Sequence, residues 1–174
     1  GGLVVVGSYV PKSTEQLSRL LAAAGVAPVE LAVNDVLNGT TARTAMTDAV
    51  RTVNEHLTAG RDTVLFTSRP LVTGADAAEN LGIGARVSSA LVEIVTRLEV
   101  RPRYLIAKGG ITSSDLATQG LGVKRARVLG QILPGVPVWE LGPETKFPGL
   151  PYVVFPGNVG GPEALQNAVL RLKT

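Results

Sequence analysis

The stretch Arg103-Tyr104-Leu105-Ile106-Ala107-Lys108-Gly109-Gly110-Ile111-Thr112-Ser113 joins a strand pattern to a helix pattern through two glycines. The run Arg103–Ala107, apolar after its first residue, is typical of a buried strand, and the residues beyond the glycines predict a short helix over Thr112–Gln119. Glycine allows a sharp turn and a close approach of the backbone to a neighbour. A strand, a glycine turn and a helix in direct succession form the repeating unit of parallel α/β sheets.

Alternation of the two patterns continues along the chain in both directions. Further strands are predicted at Leu3–Val6, Pro28–Val33, Thr63–Thr67, Val128–Leu133, Val136–Leu141 and Tyr152–Phe155. Further helices are predicted at Ser13–Ala24, Thr40–Ala59, Gly84–Glu99 and Pro162–Leu172, and residues 68–81 are predicted to form a surface loop. We therefore expect an α/β fold, a three-layer sandwich with a mostly parallel sheet, helices on both faces, and antiparallel edge strands near 126–155.

Composition sets the size and the class of the protein. The 174 residues fit one domain, 1–174, and 45% of them are apolar, which excludes a disordered chain. Only 4% are aromatic, so Val, Leu, Ile and Ala must fill the core, as they do in buried parallel sheets. The chain begins with Gly1-Gly2-Leu3 and lacks a starting Met, so we expect it to be part of a longer protein.

Residue content excludes several kinds of site and disfavours others. There is no cysteine, and His56 is the only histidine, so disulfides, thiolate catalysis and zinc sites built from cysteines or several histidines are excluded. A net charge of +3 without a long basic run or interleaved aromatics disfavours nucleic acid as a partner. No apolar stretch approaches the roughly 20 residues of a membrane span, and no signal peptide is visible, so we expect no membrane partner and a cytoplasmic location.

Three loops each follow a predicted strand and precede a predicted helix. They are Lys108–Asp115, Pro156–Gly161 and Gly7–Thr14. In a parallel sheet, ligands bind beyond the carboxyl ends of the strands, and the free N–H groups of a helix start attract anions. Each loop could instead be a tight turn with an ordinary helix cap, needed for packing alone. Their joint placement at three strand ends favours an anion-binding edge.

Side chains within these loops suit phosphate or ribose. Lys108 could add a positive charge, Thr112 or Ser113 could cap the helix, and Ser8 could bond a phosphate or a ribose. The common nucleotide fingerprints are missing. No loop follows the pattern G-x-x-x-x-G-K-[ST], and the two starts of G-x-G-x-x-G place Val87 and Arg125 where the third glycine belongs.

Other polar and aromatic residues have both a functional and a structural interpretation. Arg69 could reach a phosphate or be a solvated loop residue, and Trp139 could wall an adenine pocket or belong to the core. Three carboxylates, Asp35, Asp48 and Asp115, could serve as general bases or Mg²⁺ partners, although Asp115 fits an interaction with the helix dipole better. Solvated surface is the better explanation for His56 and for the basic cluster Lys124, Arg125 and Arg127. No pair of acidic residues makes a convincing catalytic couple.

Four motifs together resemble the C-terminal nucleotide-binding domain of the four-carbon acid sugar kinase family. They are Gly7-Ser8 followed by Ser13-Thr14-Glu15-Gln16-Leu17, then Lys108-Gly109-Gly110-Ile111-Thr112-Ser113, then Pro134-Gly135-Val136-Pro137-Val138-Trp139, and then Pro156-Gly157-Asn158-Val159-Gly160. They run in the order of the family and span nearly the whole chain.

The resemblance implies ATP-dependent phosphorylation of small sugar acids such as threonate, erythronate or their oxo forms. ATP or ADP, with Mg²⁺, would be the cofactor, and homo-oligomers are compatible with the resemblance. The nucleotide contacts would fall on Ser8, on Gly109, Gly110, Ile111 and Thr112, and on Gly157, with Asn158, Val159 and Gly160 as neighbours. No residue of this chain receives a catalytic or metal-binding role.

One departure from the family limits the expected activity. The N-terminal domain that binds the sugar acid and carries the acidic catalytic motif is absent from this sequence, so we expect the chain to bind nucleotide without catalysing transfer alone. The alternative is a non-catalytic binding or sensor module for another phosphorylated metabolite. The missing fingerprint disfavours a dinucleotide oxidoreductase domain.

Overall fold

The strands of the protein form one seven-stranded sheet. The computed structural model describes residues 1–22 and 25–173. The strands are β1 (Leu3–Val6), β2 (Val26–Leu31), β3 (Asp62–Thr67), β4 (Leu105–Lys108), β5 (Ala126–Leu133), β6 (Val136–Leu141) and β7 (Pro151–Phe155). Their order across the sheet is β2-β3-β1-β4-β7-β6-β5. The first five strands of this order pair in parallel, whereas β6 and β5 continue the sheet antiparallel, which confirms the expected fold class and its antiparallel edge.

Helices cover both faces of the sheet. They are α1 (Pro11–Ala22), α2 (Val33–Leu37), α3 (Ala42–Thr58), α4 (Ala77–Arg97), α5 (Gly110–Asp115), which continues into a π-helical turn over Leu116–Gly120, and α6 (Ala164–Lys173). Alternate residues of a strand point to opposite faces. Accordingly Val4 and Val6 of β1 pack with α1 and α6, whereas Leu3 and Val5 pack with α2, α3, α4 and the π-helical turn after α5. Both clusters are apolar and buried, which gives the three layers.

The edge strand β2 and the helix after it correct one prediction. The strand ends at Leu31, and Val33, predicted to end it, instead begins α2, a short helix that the pattern did not indicate. Pro28 lies in β2, where it is tolerated because an edge strand leaves one side of its backbone unpaired. Val33 and Val36 bury the inner side of α2, so packing decides this helix.

Helix α4 begins seven residues before its predicted start. Asp76 caps it by accepting a hydrogen bond from the Glu79 N–H at 2.8 Å, while the Glu79 carboxylate accepts from the Ala75 N–H at 2.7 Å. Asp76 is thus the N-cap, and the Glu79 carboxylate holds the residue that precedes it. The end of the predicted loop 68–81 is therefore helical, and the exposed glycines Gly82 and Gly84 lie inside α4.

Two further boundaries bear on the predictions. Helix α5 begins at Gly110 rather than at Thr112. The predicted last residue of the first helix, Ala24, lies outside the described residues. Within the part of the chain that the structure describes, no helix is long and apolar enough to cross a membrane.

Candidate functional site

At the carboxyl edge of the sheet, the connections that follow β1 and β4 run to opposite faces. Helix α1, which follows β1, packs on one face of the sheet, and α5, which follows the neighbouring strand β4, packs on the other. The strand order therefore changes its winding direction between β1 and β4. Such a point in a parallel sheet is where ligands bind.

The three loops singled out from the sequence meet at this edge. A Cβ added to Gly109 would lie 3.0 Å from the Cβ of Ser8, and one added to Gly157 would lie 3.7 Å from the Ser8 Oγ. A Cβ added to Gly7 would overlap the hydroxyl of Thr112. The loops thus approach one another so closely that glycine is required at two of the contacts. We call residues 7–12, 109–112 and 156–161 together the triple-loop edge.

The start of α5 is fixed by backbone geometry and not by a side-chain cap. Gly109 has a φ of +118°, a conformation that L side chains rarely adopt, and its N–H donates to the Phe155 carbonyl at 2.9 Å. The expectation that Thr112 or Ser113 caps the helix is wrong, because both lie inside it. The Ser113 hydroxyl instead donates to the Ala107 and Gly109 carbonyls at 2.7 Å and holds the turn closed.

The first residues of α5 present their backbone at the edge. The first hydrogen bond of the helix runs from the Ser113 N–H to the Gly109 carbonyl, so the N–H groups of Gly110, Ile111 and Thr112 precede the intrahelical ladder. Gly110 and Ile111 are exposed, and a Cβ added to Gly110 would meet no atom within 4 Å. This helix start is open to a ligand.

Lys108 connects two of the loops from below. Its side chain is fully buried, and its Nζ donates to the carbonyls of Pro156 at 2.7 Å and Gly157 at 3.0 Å and lies 4.3 Å from the centre of the Phe155 ring. Burial, with a smaller contribution from the charge of Lys12, lowers the pKa of Lys108 to about 8. Its ammonium therefore tethers the Pro156–Gly161 loop to β4 instead of facing the solvent at the helix start.

Helix α1 holds the other side of the Pro156–Gly161 loop. The buried Gln16 donates through Nε2 to the Val159 carbonyl at 3.0 Å and to the Gly161 carbonyl at 2.9 Å, and the Ser13 hydroxyl donates to the Gly157 carbonyl at 3.3 Å. Sequence reasoning missed this role of Gln16. The available signal was a polar residue beside Leu17 and Leu20 on the buried stripe of a helix. With their carbonyls drawn toward α1, Gly157 to Gly161 form a fixed wall of the edge.

Arg69 lies one strand away, after β3, at the same carboxyl edge. Its Nη2 donates to the Ser8 carbonyl at 3.0 Å, whereas Nε and Nη1 are buried and have no hydrogen-bond partner among the described residues. Burial lowers the pKa of Arg69, and the charge of Glu30 opposes that effect. The interpretation of Arg69 as a solvated loop residue is therefore wrong.

The remaining aromatic and histidine candidates lie outside the triple-loop edge. Trp139 stacks on Tyr152 with ring centres 6.1 Å apart and packs against the core, as the structural interpretation predicted. The Tyr152 hydroxyl donates to the Ser113 carbonyl at 2.7 Å, so this pair supports α5 from beneath. His56 is half-buried near the end of α3, contrary to the expected solvated face, and burial lowers its pKa.

The charged candidates lie outside the triple-loop edge, where they pair with other residues or are exposed. Asp115 ends α5 and accepts hydrogen bonds from Ser88 and Gln119, so its expected interaction with the positive end of the helix dipole is wrong. The other acidic candidates lie on the surface, where Asp35 is exposed and Asp48 pairs with Arg51. The basic cluster also lies on the surface: Arg125 pairs with Glu144, Arg127 pairs with Glu140, and Lys124 is exposed.

The triple-loop edge does not fit a metal site held by protein ligands. Its three segments contain no Asp or Glu, so they offer N–H and hydroxyl donors for an anion and no carboxylate for a hard cation. Over residues 1–22 and 25–173, no group of three or more His, Cys, Asp or Glu side chains could hold a metal ion. The expected Mg²⁺ would need ligands from phosphates and from carboxylates outside these loops.

Comparison with known proteins gives a family match. The model of the family described as the nucleotide-binding C-terminal domain matches residues 3–165, nearly the whole chain. The match includes all three loops of the triple-loop edge, and it confirms the resemblance carried by the sequence motifs. No curated protein matches the sequence.

Solved structures share the fold at low sequence identity. A Bordetella bronchiseptica protein with a domain of unknown function, DUF1537, was solved as a domain-swapped dimer with bound citrate; it has 20% identity and a TM-score of 0.78, over 99% of this chain and 41% of its own. A Salmonella typhimurium LT2 protein, provisionally named a tRNA synthase, has 21% identity and a TM-score of 0.73, over 96% of this chain and 40% of its own. A DUF1537 protein from Haemophilus influenzae has 18% identity and a TM-score of 0.69, over 99% of this chain and 40% of its own. The chain thus spans about two fifths of the length of these proteins.

Proposed function

This chain belongs to the nucleotide-binding C-terminal domain family, and on that premise we propose that ATP or ADP binds at the triple-loop edge. The observation that supports the proposal is the meeting of Ser8, Gly109 and Gly157 at the carboxyl edge of the neighbouring strands β1 and β4. These are three of the positions at which the family resemblance locates nucleotide contacts.

The start of α5 supplies the phosphate contacts in this proposal. The N–H groups of Gly110, Ile111 and Thr112 are not used by the helix, and the positive end of the helix dipole lies with them. A phosphate bound there accepts hydrogen bonds from the backbone without requiring a basic side chain. The Ser8 hydroxyl and the wall formed by Gly157, Asn158, Val159 and Gly160 complete the site on its other sides.

In the longer protein we propose that this domain serves a kinase acting on four-carbon sugar acids. An alcohol oxygen of the acid attacks the γ-phosphorus of ATP, the bond to the β-phosphate oxygen breaks, ADP leaves, and a base of the sugar-acid domain accepts the alcohol proton. This chain contributes positioning and charge stabilisation, which dominate phosphoryl transfer. The citrate in the Bordetella bronchiseptica structure is a hydroxy acid, which is compatible with a hydroxy-acid substrate for such proteins.

The proposal also covers assembly and location. The partner in the same protein is the N-terminal sugar-acid domain, and the domain-swapped dimer of the Bordetella bronchiseptica relative supports homo-oligomers of the longer protein. We propose a cytoplasmic location, where ATP is available, with neither nucleic acid nor membrane as a partner.

Isothermal titration calorimetry of this chain with ADP, ATP and adenosine tests the nucleotide site. We expect ADP and ATP to bind with much higher affinity than adenosine, because the triple-loop edge recognises phosphate. Gly110→Val should weaken ADP binding at least about tenfold, or about 1.4 kcal/mol, because its side chain would occupy the space above the helix start.

Gly39→Val is the matched control. Gly39 lies in the turn between α2 and α3, near the β2 edge of the sheet, and a Cβ added there also meets no atom within 4 Å. Circular dichroism checks that both variants fold. Equal binding of ADP and adenosine, or unchanged ADP affinity in Gly110→Val, would contradict the proposal. A thermal-shift response to other phosphorylated metabolites alone would favour the sensor module instead.

A further inference from the structure

Arg69 is a half-buried cation whose hydrogen-bonding capacity is largely unused. The guanidinium has five N–H donors and no acceptor. Its one hydrogen bond in the described structure runs from Nη2 to the Ser8 carbonyl, a neutral acceptor, at 3.0 Å. Nε and Nη1 are shielded from water without a partner, and no carboxylate of the described residues lies within 4.0 Å of the group. A buried donor without an acceptor is unfavourable and calls for an explanation.

The base of this side chain is held in place by its neighbour. The Ser68 N–H donates to the Leu31 carbonyl at 3.0 Å, and the Ser68 hydroxyl accepts from the Val33 N–H at 3.0 Å. These bonds fix the end of β3 against β2 and α2. Arg69 is consequently presented at the carboxyl edge of the sheet beside the β1 loop, although it is not itself part of a helix or strand.

The charged side chains within the triple-loop edge and directly beneath it are cationic. Lys12 lies in the first turn of α1, where its Nζ donates to the Asn158 carbonyl, and Lys108 lies beneath the β4 turn. Arg69 adds a third cation on the β3 side of Ser8; the charge of Glu30 acts on it without an ion pair among the described residues, and the three loops themselves contain no carboxylate. A polyphosphate is the class of ligand that satisfies several fixed cations and backbone N–H groups at once.

We propose that Arg69 binds the terminal phosphate of the nucleotide, on the β3 side of Ser8 and opposite the two glycine loops of β4 and β7. The inference rests on the proposed nucleotide site and deepens it. Because Gly109–Thr112 and Pro156–Gly161 lie on one side of β1 and Arg69 on the other, a phosphate chain that starts at α5 and crosses Ser8 ends at the guanidinium. A planar guanidinium group can donate two parallel hydrogen bonds to two oxygens of one phosphate.

Contact with a phosphate requires a local movement. Nε and Nη1 are closed off, so the side chain must exchange the Ser8 carbonyl for phosphate oxygens and turn outward, or the residues that follow it must shift. Residues 70–75 form no helix or strand. The hydrogen bonds described for them, from the Gly74 N–H to Asn80 and from the Ala75 N–H to Glu79, are at exposed positions. Such a segment opens at low cost.

The experiment compares Arg69→Met and Arg69→Lys with the unchanged chain by calorimetry with ATP, ADP, AMP and tripolyphosphate. For Arg69→Met we expect ATP and tripolyphosphate affinity to fall roughly 10- to 100-fold, as for the loss of a charged hydrogen-bond pair, and AMP affinity to stay unchanged. Arg69→Lys should recover part of the loss because the charge remains. Urea unfolding of Arg69→Met should give a midpoint equal to or above that of the unchanged chain, because a half-buried cation with two shielded, unpartnered nitrogens has been removed.

Each alternative result has a distinct meaning. Equal loss of ATP, ADP and AMP affinity, with a lower unfolding midpoint, means that Arg69 only supports the Ser8 loop and overturns the inference. Unchanged ATP affinity in Arg69→Met also overturns it, while the nucleotide site stands. Tripolyphosphate binding that depends on Arg69, without tighter binding of ATP than of tripolyphosphate, supports Arg69 as an anion ligand and refutes the nucleotide site.

Discussion

Replacing Lys108 with Met should remove a pH dependence of folding stability that arises from one buried ammonium. The side chain is fully buried, and burial lowers its pKa in the folded protein from 10.5 to about 8. Between these values the unfolded chain binds the proton and the folded protein does not. The free energy of unfolding therefore rises with pH in this window, since protons favour the state that binds them.

The magnitude follows from the two pKa values. Each pKa unit corresponds to about 1.36 kcal/mol, so the gap between about 8 and 10.5 corresponds to about 3 kcal/mol in full. From about pH 7.5 to pH 9.5, the free energy of unfolding of the unchanged chain should rise by about 2 kcal/mol relative to that of Lys108→Met. Met fills a similar volume without a titrating group, and Lys124→Met, at an exposed lysine, controls for the loss of one cation.

Urea unfolding at the two pH values measures this difference. Trp139 is the single tryptophan, it is partly buried against the core, and its stacking on Tyr152 makes its fluorescence a reporter of tertiary structure. Circular dichroism provides the second probe that a two-state transition requires. A difference between the unchanged chain and Lys108→Met that stays constant from pH 7.5 to pH 9.5 would refute the reasoning, because the ammonium would then not be desolvated.

Three further substitutions test the packing that shapes the site, each by urea unfolding. Gly109→Ala should lower the free energy of unfolding by about 1–3 kcal/mol because the φ of Gly109 is +118°. Gly110→Ala should leave it unchanged, because Gly110 is helical and has open space around it. Equal losses in the two variants would contradict this. Gln16→Leu should lower the free energy of unfolding by about 1–3 kcal/mol and weaken ADP binding, because the Val159 and Gly161 carbonyls lose their donor. An unchanged free energy of unfolding would show that this donor is dispensable. Tyr152→Phe should lower the free energy of unfolding by about 1 kcal/mol, because the hydrogen bond to Ser113 is lost. No change would mean that water replaces the hydroxyl.

Much of the fold could be predicted because it depends on local periodicity. The apolar runs and glycine stops located all seven strands, and the crowding of three short strands near 126–155 indicated the antiparallel edge. Predictions failed where tertiary packing overrides local preference. Helix α2 exists because Val33 and Val36 are buried. The early start of α4 has a local cause instead, because the Asp76 cap at the Glu79 N–H outweighs Gly82 and Gly84.

The sequence by itself determined the class of the fold, the three loops at strand ends and the family to which the chain belongs. These follow from strand and helix periods and from glycine, which are properties of neighbouring residues. Only the tertiary structure decided that Lys108 tethers the Pro156–Gly161 loop, that Gln16 holds it from α1, and that Arg69 is half-buried beside Ser8. The residues of these pairs lie far apart in sequence, 61 positions for Arg69 and Ser8, and meet because the strand order puts β3, β1, β4 and β7 side by side.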